Sequence, residues 1–204
     1  MDWRAVIVTY NVNMQRGDED DIEKLLAPSI AVKPSLLVIG MQPVGKVKTV
    51  FILCQQFLVP LSGATFWLGD LNFRVEQKEP EEVEELVRAK AFVQLLNTSD
   101  QLKQAMRQKE AFDGFEEQPI SFPPTYRFYV GSTEYDLKRT PSWCDRILYT
   151  GDIIKPVSYI SNENVLVSDH LPVQGVFDLE VPTSNTSNWD VLFEHLPPWY
   201  TTVP

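Results

Sequence analysis

The order of apolar and polar positions predicts short strands that alternate with amphipathic helices. Residues 3 to 10 are rich in β-branched side chains and predict a first strand. Asp18 then precedes Ile22, Leu25 and Leu26, which share one face at helical spacing. We therefore predict a short helix in this segment with Asp18 as its N-cap.

The middle of the chain continues this alternation. LLVIG at 36 to 40 predicts a fully buried strand, and residues 65 to 70 predict another that runs into a polar loop. A helix is predicted from Pro80, because proline suits the first turn and the two glutamates after it lie near the positive end of the helix dipole. We expect a further helix to begin near Ser99.

Four later apolar segments predict strands between turns marked by Pro and Gly. They are Tyr126 to Val130, Ile147 to Tyr149, Val157 to Ile160 and Val173 to Leu179. From Val181 the composition shifts to Pro, Ser, Thr and Asn. We therefore predict one mixed α and β domain over residues 1–180, followed by a linker and aromatic tail over 181–204.

Composition restricts the possible function classes. The 204 residues carry a formal charge of -10, which argues against nucleic acid as a partner because such binding needs excess Lys and Arg. The apolar run at 47–61 is interrupted by polar residues and Pro60, so we interpret it as buried or misplaced apolar sequence and not as a membrane span. Cys54 and Cys144 form no disulfide framework, which favours a cytoplasmic location.

Polar side chains capable of phosphate chemistry occur where the predicted strands begin or end. They are Asn11, Asp70, Asn72, Asp145, Asp169 and His170. Carboxylates, amides and an imidazole in one cleft suit metal-assisted phosphoester hydrolysis, in which hard oxygen ligands hold Mg²⁺ and a carboxylate aligns water. A single Asp-His pair is more often structural, whereas four clusters together favour a site. Cys144 lacks a glycine-rich anion loop, so we expect it to pack in the core.

Several of these strings resemble the sequence blocks of the inositol polyphosphate 5-phosphatases. The blocks are WLGDLNFR (67–74), FPPTYRF (122–128), KRTPSWCDRIL (138–148) and SDHLPV (168–173), in the family's order. VTYNVN and LLVIGMQ resemble the opening blocks of that family. The resemblance covers most of residues 65 to 180.

The resemblance implies the DNase I-like endonuclease/exonuclease/phosphatase fold, a four-layer α/β/β/α sandwich of the α+β class, with Mg²⁺ as cofactor. It assigns Asn11 to the metal and phosphate cluster and places Asp169 beside the metal. Asp70 is expected to activate water, Asn72 to stabilise the transition state and His170 to contact the scissile phosphate. Asp145 is expected to bond to His170 and fix its tautomer.

The same resemblance implies a substrate, either a phosphoinositide lipid or a soluble inositol polyphosphate, with peripheral membrane contact. Tyr126, Arg127, Lys138 and Arg139 are expected to hold the ring phosphates. Arg74 is expected to add positive charge, or else to pair with one of the many acids. The sequence does not indicate protein partners for the tail.

The chain departs from the family at one functional position and in one interval. Where the family has Gln followed by the Glu that binds magnesium, this chain has Gln42 followed by Pro43. Several family strands and a second catalytic histidine are absent around residues 43–64, so we expect an incomplete middle and uncovered apolar surface. Losing one transition-state donor costs about 100- to 1,000-fold in rate. We therefore predict very low hydrolysis or none.

Two readings of function remain open from the sequence. The first is magnesium-dependent removal of the 5-phosphate from phosphoinositides or inositol polyphosphates. The second is a catalytically inactive remnant, produced by alternative splicing or by an error in gene assignment, that binds phosphoinositides or proteins. Phosphate release from a 5-phosphorylated inositol distinguishes the two.

Overall fold

The computed structural model describes residues 2–13, 18–44, 47–54 and 64–180, with side chains for all of these except 2, 42–44 and 47–54. The strands are β1 (Asp2–Asn11), β2 (Leu36–Val44), β3 (Val47–Cys54), β4 (Thr65–Asp70), β5 (Glu116–Glu117), β6 (Asp145–Thr150), β7 (Ile154–Ser161) and β8 (Val173–Glu180). The helices are α1 (Glu19–Ala31), α2 (Pro80–Arg88), α3 (Val93–Thr98) and α4 (Gln101–Gln108). The predicted tail at 181–204 lies outside the described residues.

These strands form a larger and a smaller sheet. The larger sheet has the order β3-β2-β1-β8-β7, and the smaller has the order β4-β6-β5. Strand β1 runs parallel to β2 and antiparallel to β8, so the larger sheet is mixed. Strand β6 pairs antiparallel with both β4 and β5.

The two faces of β1 belong to two different apolar clusters. Ala5 and Ile7 pack with Ile147 of β6 and Phe177 of β8 in the cluster between the sheets. Val6, Val8 and Tyr10 point the other way and pack with Leu25 of α1. Because successive strand residues point to opposite faces, one strand supplies both layers. Helix α1 therefore covers the outer face of the larger sheet.

Most elements that the apolar pattern predicted are present. The predicted strands at 3–10, 36–40, 65–70, 147–149, 157–160 and 173–179 all lie within observed strands. Asp18 caps α1 as predicted: its carboxylate accepts from the Asp21 backbone N–H, and the Asp21 side chain accepts from the Asp18 backbone N–H. Helix α2 begins at Pro80, also as predicted.

The predicted strand at Tyr126 to Val130 is wrong. This segment makes isolated bridges: Tyr126 bridges Ser142 and His170, and Phe128 bridges Tyr135. It crosses between different neighbours instead of following one of them, so no ladder can form. Three elements escaped prediction: strand β3 over 47–54, the two-residue strand β5 and the six-residue helix α3. Within the described residues, no helix has the length and apolar character required to cross a membrane.

Candidate active site

The sheet register brings the polar strand ends together. Asp70 at the end of β4 lies opposite Asp145 at the start of β6. In the larger sheet, Thr9 near the end of β1 pairs with Val173 at the start of β8, so Asn11 and the loop that carries His170 meet at the same edge. The sites predicted from separate sequence blocks therefore converge because of how the strands pair.

A continuous chain of side-chain contacts crosses this edge. The Asp145 Oδ2 atom lies 2.6 Å from His170 Nδ1. On the other side of the ring, His170 Nε2 lies 3.3 Å from Asn11 Nδ2. Asn11 Nδ2 also donates to Asp70 Oδ2 at 2.7 Å. The structure thus links Asp145, His170, Asn11 and Asp70 into one network, which we name the relay.

The relay determines the tautomer of the neutral imidazole and raises its pKa. Since a carboxylate only accepts, Nδ1–H donates to Asp145, and Nε2 of the neutral ring accepts from the Asn11 amide. Burial lowers the pKa of His170, but the charge and hydrogen bond of Asp145 outweigh burial and raise the pKa above its ordinary value. Burial also raises the pKa of the Asp145 carboxyl. The pair therefore holds protons more tightly than an isolated histidine does.

A cleft of about 340 Å³ opens in this region, with Arg74, Tyr126 and Arg139 in its lining. The Arg74 guanidinium lies 4.4 Å from the centre of the Tyr126 ring and donates to Asn72 Oδ1. The Tyr126 ring in turn lies 4.4 Å from the His170 ring, centre to centre. The cleft and the relay are therefore directly joined through Tyr126.

The remaining expected residues lie nearby but differ in their contacts. The Asn72 backbone N–H donates to Asp70 Oδ1 at 2.9 Å, while its side chain is exposed. Arg127 forms ion pairs of 3.3 Å with both Asp136 and Asp169, so its charge is already balanced by acids. Lys138 is exposed and is absent from the lining of the cleft.

Ser168 holds the site together, and the sequence analysis did not single it out. Its hydroxyl donates to the Asn11 carbonyl at 2.6 Å and accepts from the His170 backbone N–H at 3.2 Å. The second contact is the local turn that serine commonly makes with the residue two positions later. The contact with the His170 backbone could have been predicted, because a serine two residues before the histidine is visible in the sequence. The contact with Asn11 could not, because it depends on the fold.

Two residues beside Asp145 belong to the core, Cys144 as predicted and Arg146. Cys144 is fully buried, and burial raises the pKa of its thiol, which is consistent with packing and not with nucleophilic chemistry. Arg146 is also fully buried and pairs with Asp100 and Glu117. It contributes no charge to the cleft.

The oxygens of Asn11 and Asp169, expected at the metal, and of Asp70, expected to activate water, are engaged with other groups. Asp70 accepts from Asn11 and from the Asn72 backbone, and Asp169 faces Arg127. The Asn11 Oδ1 atom accepts from the Asn13 backbone N–H at 2.9 Å. Across residues 2–180 where described, no group of three His, Cys, Asp or Glu side chains is placed to hold a metal ion.

The strand beside Asn11 supplies no further carboxylate. Asn11 pairs in register with Gln42 of β2, and the next residue is Pro43, which has no side-chain oxygen. Mg²⁺ needs oxygen ligands, commonly including at least one carboxylate. The described donor set therefore does not fit a magnesium site.

Comparison with known proteins agrees with this fold. A family model described as Endonuclease/Exonuclease/phosphatase family 2 matches residues 54–176. The chain is 46% identical over 122 residues to the type II inositol 1,4,5-trisphosphate 5-phosphatase of Mus musculus, a match that covers 58% of this chain and 12% of that protein. It is 44% identical over 120 residues to the nitrophorin Cim l NP of Cimex lectularius, covering 55% of this chain and 37% of that protein.

Among solved structures, the chain is similar to the inositol polyphosphate 5-phosphatase domain of SpSynaptojanin in complex with inositol (1,4)-bisphosphate and calcium ion. The TM-score is 0.80 at 19% identity, over 95% of this chain and 89% of that one. The chain belongs to the endonuclease/exonuclease/phosphatase family. The predicted fold class, the α+β sandwich of the DNase I-like type, is confirmed. The chain spans only 12%, 20% and 26% of three of the curated 5-phosphatases it matches.

Proposed function

We propose that this chain recognises inositol phosphates that carry a 5-phosphate and hydrolyses that phosphate at a low rate. The observation that carries this proposal is the relay of Asp145, His170, Asn11 and Asp70 next to the cleft with Arg74. The names of the matched 5-phosphatases support the reaction. The inositol bisphosphate complex of the SpSynaptojanin domain supports the class of ligand.

The side chains of the relay can interact with the attacking water and with the phosphate oxygens on which charge changes during hydrolysis. Water attacks phosphorus, the bond from phosphorus to the inositol oxygen breaks, and that oxygen leaves with the electron pair and takes up a proton. A carboxylate accepts hydrogen bonds and can therefore orient the attacking water, which is the role that the family resemblance gives Asp70. When His170 is protonated, its Nε2–H becomes a donor for a phosphate oxygen, and Asp145 stabilises the imidazolium.

The low rate follows from the missing carboxylate. Pro43 stands where the family has its magnesium-binding glutamate, so the site lacks a ligand for the cation that would neutralise the charge developing on the phosphate. Dependence on magnesium was expected from the family resemblance, but the described donor set does not support it, and comparing phosphate release with and without a chelator tests it. A cytoplasmic location likewise stays a prediction.

A binding module without catalysis is the second candidate function. Two observations favour it: Pro43 removes a carboxylate from the site, and one of the matched relatives is named a nitrophorin and not a phosphatase. Family membership alone therefore does not establish hydrolysis. In this second case the cleft would bind inositol phosphates without turnover.

The test is phosphate release from inositol 1,4,5-trisphosphate by the purified full chain, with magnesium or with EDTA. We expect slow release that Asp70→Ala and His170→Ala each reduce by about 100-fold or more. Asp152→Ala is the matched control, because Asp152 is exposed. Unchanged release in both site variants would refute the proposed site, and no release from the unaltered chain would favour the binding module. Parallel assays on vesicles that contain a 5-phosphorylated inositol lipid separate lipid from soluble substrates.

A further inference from the structure

The acidic groups of the site already have partners, whereas two of its basic groups form no ion pair with an acid among the described residues. Each carboxylate near the relay already faces a donor or a cation: Asp145 faces His170, Asp70 faces Asn11 and Asp169 faces Arg127. Turning any of them toward a metal ion would break an existing contact. Each of these carboxylates therefore already has a hydrogen-bond or ion-pair partner within the site.

The basic half has unused capacity. Arg74 and Arg139 line the cleft, and no ion pair joins either of them to an acid among the described residues. Arg74 donates from Nη2 to Asn72, while its buried Nη1 has no hydrogen-bond partner among the described atoms. Stacking on Tyr126 holds the guanidinium in place without consuming its donors.

We propose that this cleft binds inositol phosphates without a divalent cation, because the two arginines meet the phosphate charge directly. Guanidinium groups bind phosphate through paired, charge-assisted hydrogen bonds and need no bridging metal ion. The inference takes its ligand class from the proposed function but does not depend on hydrolysis. It explains how a site with Pro43 in place of a carboxylate still recognises a phosphorylated ring.

A carboxylate at position 43 should allow the site to bind a divalent cation. Residue 43 follows Gln42, whose backbone pairs with Asn11 at the edge where the relay lies. Pro43→Glu would introduce, one residue after the Gln42 that pairs with Asn11, the residue type that the family resemblance assigns to magnesium binding. This substitution should give the chain an affinity for divalent cations that the unaltered chain lacks.

Calorimetric titration with inositol 1,4,5-trisphosphate tests the first part. We expect the same Kd, within about twofold, in EDTA and in magnesium, and Kd values raised about tenfold or more by Arg74→Ala and by Arg139→Ala. Arg88→Ala is the matched control, because Arg88 is exposed on α2 and pairs with Glu84. Unphosphorylated inositol should not bind.

Manganese binding, followed by electron paramagnetic resonance, tests the second part. We expect binding by Pro43→Glu and none by the unaltered chain or by Pro43→Gln, which adds an oxygen without charge. Melting curves establish that each variant is folded. Loss of inositol trisphosphate binding in EDTA, absence of binding under both conditions, or equal manganese binding by the unaltered chain would each overturn the inference. Phosphate release is measured separately, so the proposed hydrolysis is judged by its own assay.

Discussion

At the scale of single residues, orientation of His170 from both sides is the main feature of the site. Asp145 holds Nδ1, Asn11 contacts Nε2, and Ser168 holds the backbone N–H. Asp145 has no solvent exposure and His170 has 4%, so water cannot replace these contacts. The ring is therefore set in place before a ligand arrives, which is the arrangement that favours catalysis by fixed dipoles and charges.

Asp145→Asn tests whether catalysis requires the negative charge of Asp145 and not only its size and position. The amide has nearly the same size, but it no longer stabilises the imidazolium, so we expect phosphate release to fall by about 100-fold or more. The pKa of His170 should fall as well, because the charge and hydrogen bond of Asp145 raise it. Proton NMR measures this pKa readily, since the chain has two histidines and His195→Gln assigns the signals. Asp152→Asn serves as control, and an unchanged His170 pKa would contradict the assigned role of Asp145.

The sequence indicated the site residues but not their partners. A polar residue at a strand end is visible in the apolar pattern, as for Asn11 and Asp70, because strand ends are local features. The stacking of Arg74 on Tyr126 joins residues 52 positions apart, and the bond from Ser168 to Asn11 joins residues 157 apart. Such contacts depend on strand order and register, which a single sequence does not specify.

At the scale of elements, a buried ion network joins α4 to the smaller sheet. Arg146 of β6 binds Glu117 of β5 and Asp100, the residue that caps α4. Lys103 of α4 reaches Glu117 from the other side at 2.7 Å. Each charge in this network has a partner, which offsets the cost of removing it from water.

Glu117→Gln should destabilise the fold by about 3 kcal/mol, because it leaves Arg146 and Lys103 without their shared counter-charge. Burial opposes ionisation of Glu117, but Arg146 and Lys103 together lower its pKa below the ordinary 4.5. Ionised Glu117 therefore contributes stability above pH 4.5, and this contribution is lost as the pH falls through the lower pKa of the folded state. Melting temperatures measured across acid pH should fall more steeply for the unaltered chain than for Glu117→Gln. Glu110→Gln, which changes an exposed carboxylate, should behave like the unaltered chain.

Element prediction succeeded where a segment pairs with the same neighbouring strands along its whole length. Strand β8 packs Val173, Phe177 and Leu179 into the cluster between the sheets, and its alternation is plain in the sequence. The segment from Tyr126 to Val130 has equally suitable composition but divides its backbone bonds among several neighbours. Composition predicts the tendency to be extended, whereas pairing decides whether a strand forms.

At the scale of the whole molecule, aromatic contacts join the two sheets. Phe177 of β8 lies 4.9 Å from Phe66 of β4 and 5.2 Å from Tyr149 of β6, measured between ring centres. On the other side of β4, Trp67 is 53% exposed and contacts Phe112. Within the described part of the chain, β4 pairs only with β6. The apolar surface that the sequence analysis expected near the shortened middle stays a prediction, because residues 55–63 lie outside the described part of the chain.

Phe177→Ala tests whether residues 1–180 fold as one domain. The substitution removes a ring that contacts two strands of the facing sheet, β4 and β6, so we expect a loss of about 3 to 5 kcal/mol in the free energy of unfolding. If the sheets depend on each other, circular dichroism and tryptophan fluorescence should report the same single transition before and after the change, because Trp3 and Trp67 lie in different sheets. Val157→Ala, at a half-exposed position on β7, should leave stability nearly unchanged. Two separate transitions, with only one shifted by Phe177→Ala, would show instead that the sheets unfold independently and that the relay, which spans them, is held less firmly than its distances suggest.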